Sequence, residues 1–292
     1  VFDPFRRWRE RATTRRAWKR VDTAFATLGE CPRWDAHRSA IFWIDIPAGV
    51  LHSFDLERDA SEQWKLAEEI GALACRSDGL LVVGAGRTFL NVDPATKSVR
   101  QWGEIAAIDV ARVRLNDAAW AFDGSLWVTT MSRDGITAEG GLFRVSTNGD
   151  VDQLQTDIVI GNGPAFDHQR RRAYVADSAR RTVYAVDVDR PAARVVFCTI
   201  SAADGYPDGM ATDDFGNLWI AHHSGAMVSV WSPSGTLQRT LRTPFGSPTA
   251  LSFLPGQHGV IRVAVTSATF GKTELGGLWR GSFRQDAAGL PA

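Results

Sequence analysis

The chain has 292 residues, with 33 Lys+Arg against 33 Asp+Glu, a formal net charge of zero and 44% hydrophobic residues. That balance argues against a protein that tracks nucleic-acid phosphates, which needs an excess of Lys and Arg to release counterions, and the apolar fraction excludes a disordered or fibrous chain. No run approaches the roughly 20 apolar residues that span a bilayer, and Cys31, Cys75 and Cys198 suit neither a disulfide framework nor a paired zinc site, so a reducing, cytoplasmic setting is expected.

Residues 1–20 carry eight basic side chains against Asp3 and Glu10, a net of +6. Two arginine pairs stand there, but no hydrophobic run follows either. The stretch 1–20 is therefore expected to be a solvated basic extension, and 21–292 the folded domain. Without the extension the body is mildly acidic, which suits a cation site. Residues 24–28 have strand character and are expected to complete the last sheet and close a ring.

From Glu30 one plan recurs six times. It begins at Glu30 (ECPRWDAHRSAIFWIDI), Gly71 (GALACRSDGLLVVGA), Asn116 (NDAAWAFDGSLWVTTM), Asn162 (NGPAFDHQRRRAYVADS), Asp208 (DGMATDDFGNLWIAHH) and Pro248 (PTALSFLPGQHGVIRVAVTS). Successive starts are 41, 45, 46, 46 and 40 residues apart. Each unit has a first strand, a turn rich in Asp or Gly, and an aromatic-rich second strand; third strands are expected at 50–56, 88–93, 141–146, 182–189, 227–233 and 277–283. No long 3.6-residue apolar period occurs inside the units, so crossover helices, and with them Rossmann or barrel architectures, are excluded. The expected fold is all-β, a six-bladed β-propeller with four-stranded blades around a central channel. Trp43, Trp127, Trp219 and Tyr174 occupy equivalent second-strand positions and are expected to fill the space between blades.

Glu30, Asn116, Asn162 and Asp208 lie 13, 11, 12 and 11 residues before those aromatics. Four blades thus place an oxygen-bearing side chain at one level, the entry to each innermost strand. Asn and Asp also open strands simply as turn formers. Their matched register in four blades points instead to convergence at one channel mouth, where carboxylate and amide oxygens are ligands for Ca²⁺, Mg²⁺ or Mn²⁺.

LGECPRWD (28–35), RLNDAAW (114–120), GNGPAF (161–166), PDGMATDDFGNLWIA (207–221) and the terminal GLPA (289–292) closely resemble the regucalcin (senescence marker protein 30), gluconolactonase and luciferin-regenerating-enzyme-like family. The resemblance covers nearly everything from about residue 21 onward. It implies a six-bladed propeller holding one divalent metal ion (Ca, Zn, Mg or Mn) and hydrolysing a sugar lactone such as gluconolactone to its sugar acid. It further implies Glu30, Asn162 and Asp208 as metal ligands, Asp208 also as general base, and Arg114 and Asn116 as substrate-binding residues. Asp134 falls where many members carry a substrate-binding Glu, and is one carbon shorter. Cys31 stands where Gly or Ser is common and is expected to pack. His222 and His223 are expected at an ordinary strand end, and His37, His52, His168 and His258 in turns or on strand surfaces. No GxSxG elbow supports a serine hydrolase. The competing reading is a non-catalytic propeller that binds calcium or a sugar acid. A related hydrolase of phosphotriesters or aryl esters is disfavoured, because Arg114 with Asn116 suits a polyhydroxylated substrate.

Overall fold

The computed structural model describes residues 17–21, 24–256, 259–271, 274–286 and 289–291. Residues 1–16, most of the basic stretch, and His258 lie outside the described residues. Six four-stranded antiparallel sheets are present. Their first strands, Gly29–Asp35, Ala72–Cys75, Val113–Trp120, Gly161–Asp167, Tyr206–Thr212 and Pro248–Leu254, neighbour one another in ring order and line the channel of a six-bladed propeller. We number the blades one to six in that order. The sole helical element among the described residues is a single 3-10 turn, Ala202–Asp204, and no helix there is long and apolar enough to cross a membrane.

Ring closure differs from the expectation. The outermost strand of blade six is Trp18–Arg20, paired antiparallel with Gly277–Arg284 so that Trp18 faces Gly281. Residues 24–28 instead make single bridges, Ala26 to Gly276 and Leu28 to Ala268, as the chain passes toward blade one. Packing decides this. Trp18 is buried, donates its indole N–H to the Arg242 carbonyl at 3.0 Å, and meets Phe245 and Phe283 edge-on at 5.8 and 5.2 Å. A Cβ on Gly281 would lie 2.6 Å from the Trp18 ring, so the missing side chain opposite is what seats the indole.

The recurrent aromatics form the core as expected. Trp43, Trp127, Trp219 and Tyr174 are fully buried. Trp127 reaches Phe166 of the next blade at 5.4 Å and Trp219 reaches Phe253 at 5.3 Å, both edge-on. Edge-to-face pairs of this kind add about 0.5–1.5 kcal/mol beyond the area they bury. His52 is a correction. It is not on a strand surface but buried, stacked on Trp43 at 3.9 Å, and burial lowers its pKa to about 4.

The Asp residues that punctuate the repeat satisfy backbone donors. Asp35, Asp123, Asp167 and Asp213 accept from the N–H groups of His37, Ser125, Arg170 and Phe215 in the first hairpin turns of blades one, three, four and five. Asp45 and Asp177 close second strands and hold the incoming connectors, accepting from Thr27 and Leu28 and from Val159 and Ile160 respectively.

One irregularity positions the site. Five first strands slip register against their second strands: between Glu30 and Arg33, Leu115 and Asp117, Asn162 and Ala165, Pro207 and Met210, and Pro248 and Leu251. The strand of blade two, Ala72–Cys75, pairs without a slip. A bulge breaks period-two alternation and re-aims the side chains beside it.

Candidate functional site

Four of those bulges carry Glu30, Asn116, Asn162 and Asp208, all buried. The residue after Asn162 is Gly163 at φ +77°, where a Cβ would lie 2.9 Å from the Tyr174 carbonyl oxygen. Only glycine fits both the dihedral and the space. After Glu30 comes Cys31 at φ +50°, a conformation that non-glycine residues enter rarely.

Amides and hydroxyls link three blades in a chain of donors. Arg114 Nη1 donates to Asn116 Oδ1 at 2.7 Å. Asn116 Nδ2 donates to Asn162 Oδ1 at 2.9 Å and to the Gly161 carbonyl at 2.7 Å. Asn162 Nδ2 donates to Ser178 Oγ at 2.8 Å, and Ser178 Oγ donates to the Pro207 carbonyl at 2.5 Å, one residue before Asp208. Each orientation is set by the next, so the Asn162 amide oxygen faces Asn116 and keeps a free lone pair.

The carboxylates have no such satisfaction. Glu30 receives one N–H, from Cys31 at 3.3 Å. Neither Glu30 nor Asp208 has an ion-pair partner among the described residues. Burial, followed by the charges of Asp208 and Asp117, pushes the Glu30 carboxyl well above its ordinary range. Burial, followed by the Asp117 charge, does the same to Asp208, with Arg114 and the Gly209 N–H opposing. Burial also lowers the Arg114 pKa, against the pull of Glu69 and Glu30. Buried like charges in this arrangement favour protonation or a counter-cation.

Asp117 is the group that sequence reasoning missed. Alternation assigns adjacent Asn116 and Asp117 to opposite faces; the bulge between Leu115 and Asp117 removes that constraint. The Arg33 guanidinium pairs with Asp117 at 2.6 Å. Cys31 packs as expected: it is fully buried, with Sγ 3.3 Å from Asp117 Oδ1, and burial pushes its thiol well up, away from nucleophilic use. Ser178, which orients Asn162, was also unmarked; its only signal is its place at the end of the fourth unit.

Asp134 stands outside the hydrogen-bonded set. It is exposed in the turn after the second strand of blade three, where its carboxylate accepts from the Ile136 and Thr137 N–H groups at 2.8 and 2.9 Å and from the Thr137 hydroxyl. Those bonds hold its pKa below the usual range. His222 is buried within blade five, its ring nitrogens 2.8 Å from the Asp204 carbonyl oxygen and 2.7 Å from Ser229 Oγ. The His223 ring lies beside Ser224 Oγ at 3.1 Å.

Comparison with known proteins follows the same lines. The chain is similar to Pentonolactonase XacC of Haloferax volcanii, 32% identical over 239 residues, covering 80% of this chain and 79% of that protein. It is 28% identical to a 6-deoxy-6-sulfogluconolactonase of Pseudomonas putida, over 78% of this chain and 79% of the relative. Among solved structures, a calcium-binding protein, regucalcin, of Agrobacterium tumefaciens superposes with a TM-score of 0.81 over 90% of this chain and 92% of that one, at 24% identity, and thus shares the fold. Residues 28–269 match the model of the SMP-30/Gluconolactonase/LRE-like region, and the chain belongs to that family.

Proposed function

We propose that this protein is a divalent-cation-dependent hydrolase that opens a sugar lactone, gluconolactone or a close aldonolactone, to its sugar acid. The observation that carries the reading is the pair of buried carboxylates, Glu30 and Asp208, without an ion-pair partner among the described residues, at the same bulged level of the first strands as an Asn162 amide held by a chain of four hydrogen bonds. Relatives named as lactonases support it, as does the calcium-binding description of the regucalcin structure.

The donors fit a hard cation. Among the described residues no group of three or more His, Cys, Asp or Glu is arranged to hold a metal, so the site depends on the Asn162 amide as its third protein oxygen alongside Glu30 and Asp208, a mixture that Ca²⁺, Mg²⁺, Mn²⁺ and Zn²⁺ all accept. When bound, such an ion polarises an ester carbonyl and acidifies water. Asp208, placed beside the attacking water as a cation ligand, takes a proton from it. The water oxygen bonds to the carbonyl carbon, and the tetrahedral adduct collapses by breaking the ring C–O bond. Asp208 then returns its proton to the departing ring oxygen, leaving a hydroxy acid. Arg114 faces the negative charge that develops on the carbonyl oxygen, and Asn116, whose two amide hydrogens go to Asn162 and the Gly161 carbonyl, keeps one oxygen lone pair to accept from a sugar hydroxyl.

Asp208→Ala and Asn162→Ala test the reading. Proton release from D-glucono-δ-lactone with Mn²⁺ present should fall by about 10²–10⁴ in both, with unfolding midpoints that still report a folded propeller. Full activity in either variant defeats the assignment. A wild-type protein that binds Ca²⁺ but opens no member of an aldonolactone panel is instead a binding propeller.

A further inference from the structure

Blade two is the exception in the ring. Its first strand has no bulge, only four residues, Ala72–Cys75, and no charged or amide side chain. One residue of blade one crosses it. The largely buried guanidinium of Arg33 donates from Nε to the Leu73 carbonyl of blade two at 3.0 Å, and from Nη2 to Asp117 Oδ1 and the Ala118 carbonyl of blade three at 2.6 and 2.9 Å. Nη1 returns to the Pro32 carbonyl of its own strand at 3.0 Å.

Asp117 is held asymmetrically. Arg33 Nη2, Cys31 Sγ and the Ala118 N–H, at 2.8 Å, all donate to Oδ1, whereas Oδ2 has no hydrogen-bond donor among the described residues. The same carboxylate acts electrostatically on both Glu30 and Asp208. A third carboxylate thus stands at the edge of a cation site, with one oxygen uncommitted and its charge balanced by a single arginine.

We propose that Arg33 is a positioning residue of the channel site: it cancels the charge of Asp117 and draws that carboxylate into the wall, so that the cation sees Glu30 and Asp208 alone. The inference rests on the cation reading given above. An arginine serves here where a lysine would not, because three donors must point to two blades at once. The consequence is a sign rule. Neutralising Asp117 leaves the Arg33 charge unpaired next to the site and repels a cation; neutralising both restores the balance.

The test is Mn²⁺ binding to EDTA-treated, dialysed protein, read from the electron paramagnetic resonance signal of free Mn²⁺. Asp117→Asn should weaken binding about tenfold or more, and adding Arg33→Met to it should bring the affinity back to within about threefold of wild type. A purely structural clamp predicts the opposite for the double variant, since both halves of the clamp are then gone. If Asp117→Asn does not fold, Arg33→Met compared with the double variant carries the same rule, and the single variant should bind Mn²⁺ more tightly. An unchanged affinity in Asp117→Asn, a double variant no tighter than it, or Arg33→Met no tighter than the double overturns the inference alone. A wild-type protein that binds no divalent cation overturns the proposed function and the inference with it.

Discussion

Asn116 donates to the Asn162 amide oxygen at 2.9 Å across the boundary between blades three and four. It is simultaneously the acceptor for Arg114. One amide therefore orients a proposed cation ligand and a proposed substrate clamp. Asn116→Ala removes both constraints and should lower kcat/KM by about 10²–10³, the usual loss for a preorganised donor. Asn116→Asp should be at least as damaging, because it presents an acceptor to the Asn162 oxygen. Steady-state kinetics on an aldonolactone checks both; a kcat/KM within about twofold of wild type for Asn116→Ala contradicts the orienting role.

Glu30 and Asp208 make a prediction about pH. In the cation-free protein both carboxyls hold their protons to higher pH than they do in the unfolded chain, first because of burial and then because of neighbouring carboxylates. Their contribution to stability is therefore present at low pH and is lost as pH rises from about 4 through the raised folded values. Asp208→Asn removes that loss. In EDTA at pH 8 its Tm should exceed that of wild type by about 2–4 °C for each kcal/mol relieved, and the difference should shrink toward pH 5. A variant less stable than wild type at pH 8 in EDTA contradicts the electrostatic account.

Trp18 makes a prediction about closure. Its indole fills the outer edge of blade six against Phe245 and Phe283, so Trp18→Ala should cost about 3–5 kcal/mol, read as a lower urea midpoint. An unchanged midpoint shows that the ring closes without this strand.

The blades were legible because four of the six units, the first, third, fourth and fifth, repeat the same Asp-bearing turn and buried second-strand aromatic, and Trp43, Trp127, Tyr174 and Trp219 take those places in the structure. The polar level was legible for the same reason: Glu30, Asn116, Asn162 and Asp208 keep a nearly constant distance from those rings. Trp18 was not, since a three-residue strand inside a basic run has no period to detect, and its partner is a space left by Gly281. Asp117 and Arg33 were hidden by the bulges, which cancel the rule that neighbouring residues face opposite ways. His52 looked like a surface residue because its burial comes from stacking on a ring in the adjacent strand.

The most direct measurement of the central claim is acid release from a panel of aldonolactones by one preparation in three states: as purified, treated with EDTA and dialysed, and reconstituted with Mn²⁺, Ca²⁺, Mg²⁺ or Zn²⁺. The account predicts that at least one lactone is opened, that EDTA abolishes the reaction, and that a divalent ion restores it in wild type but not in Asp208→Ala. Undiminished turnover after EDTA treatment, or restored turnover in Asp208→Ala, would contradict it.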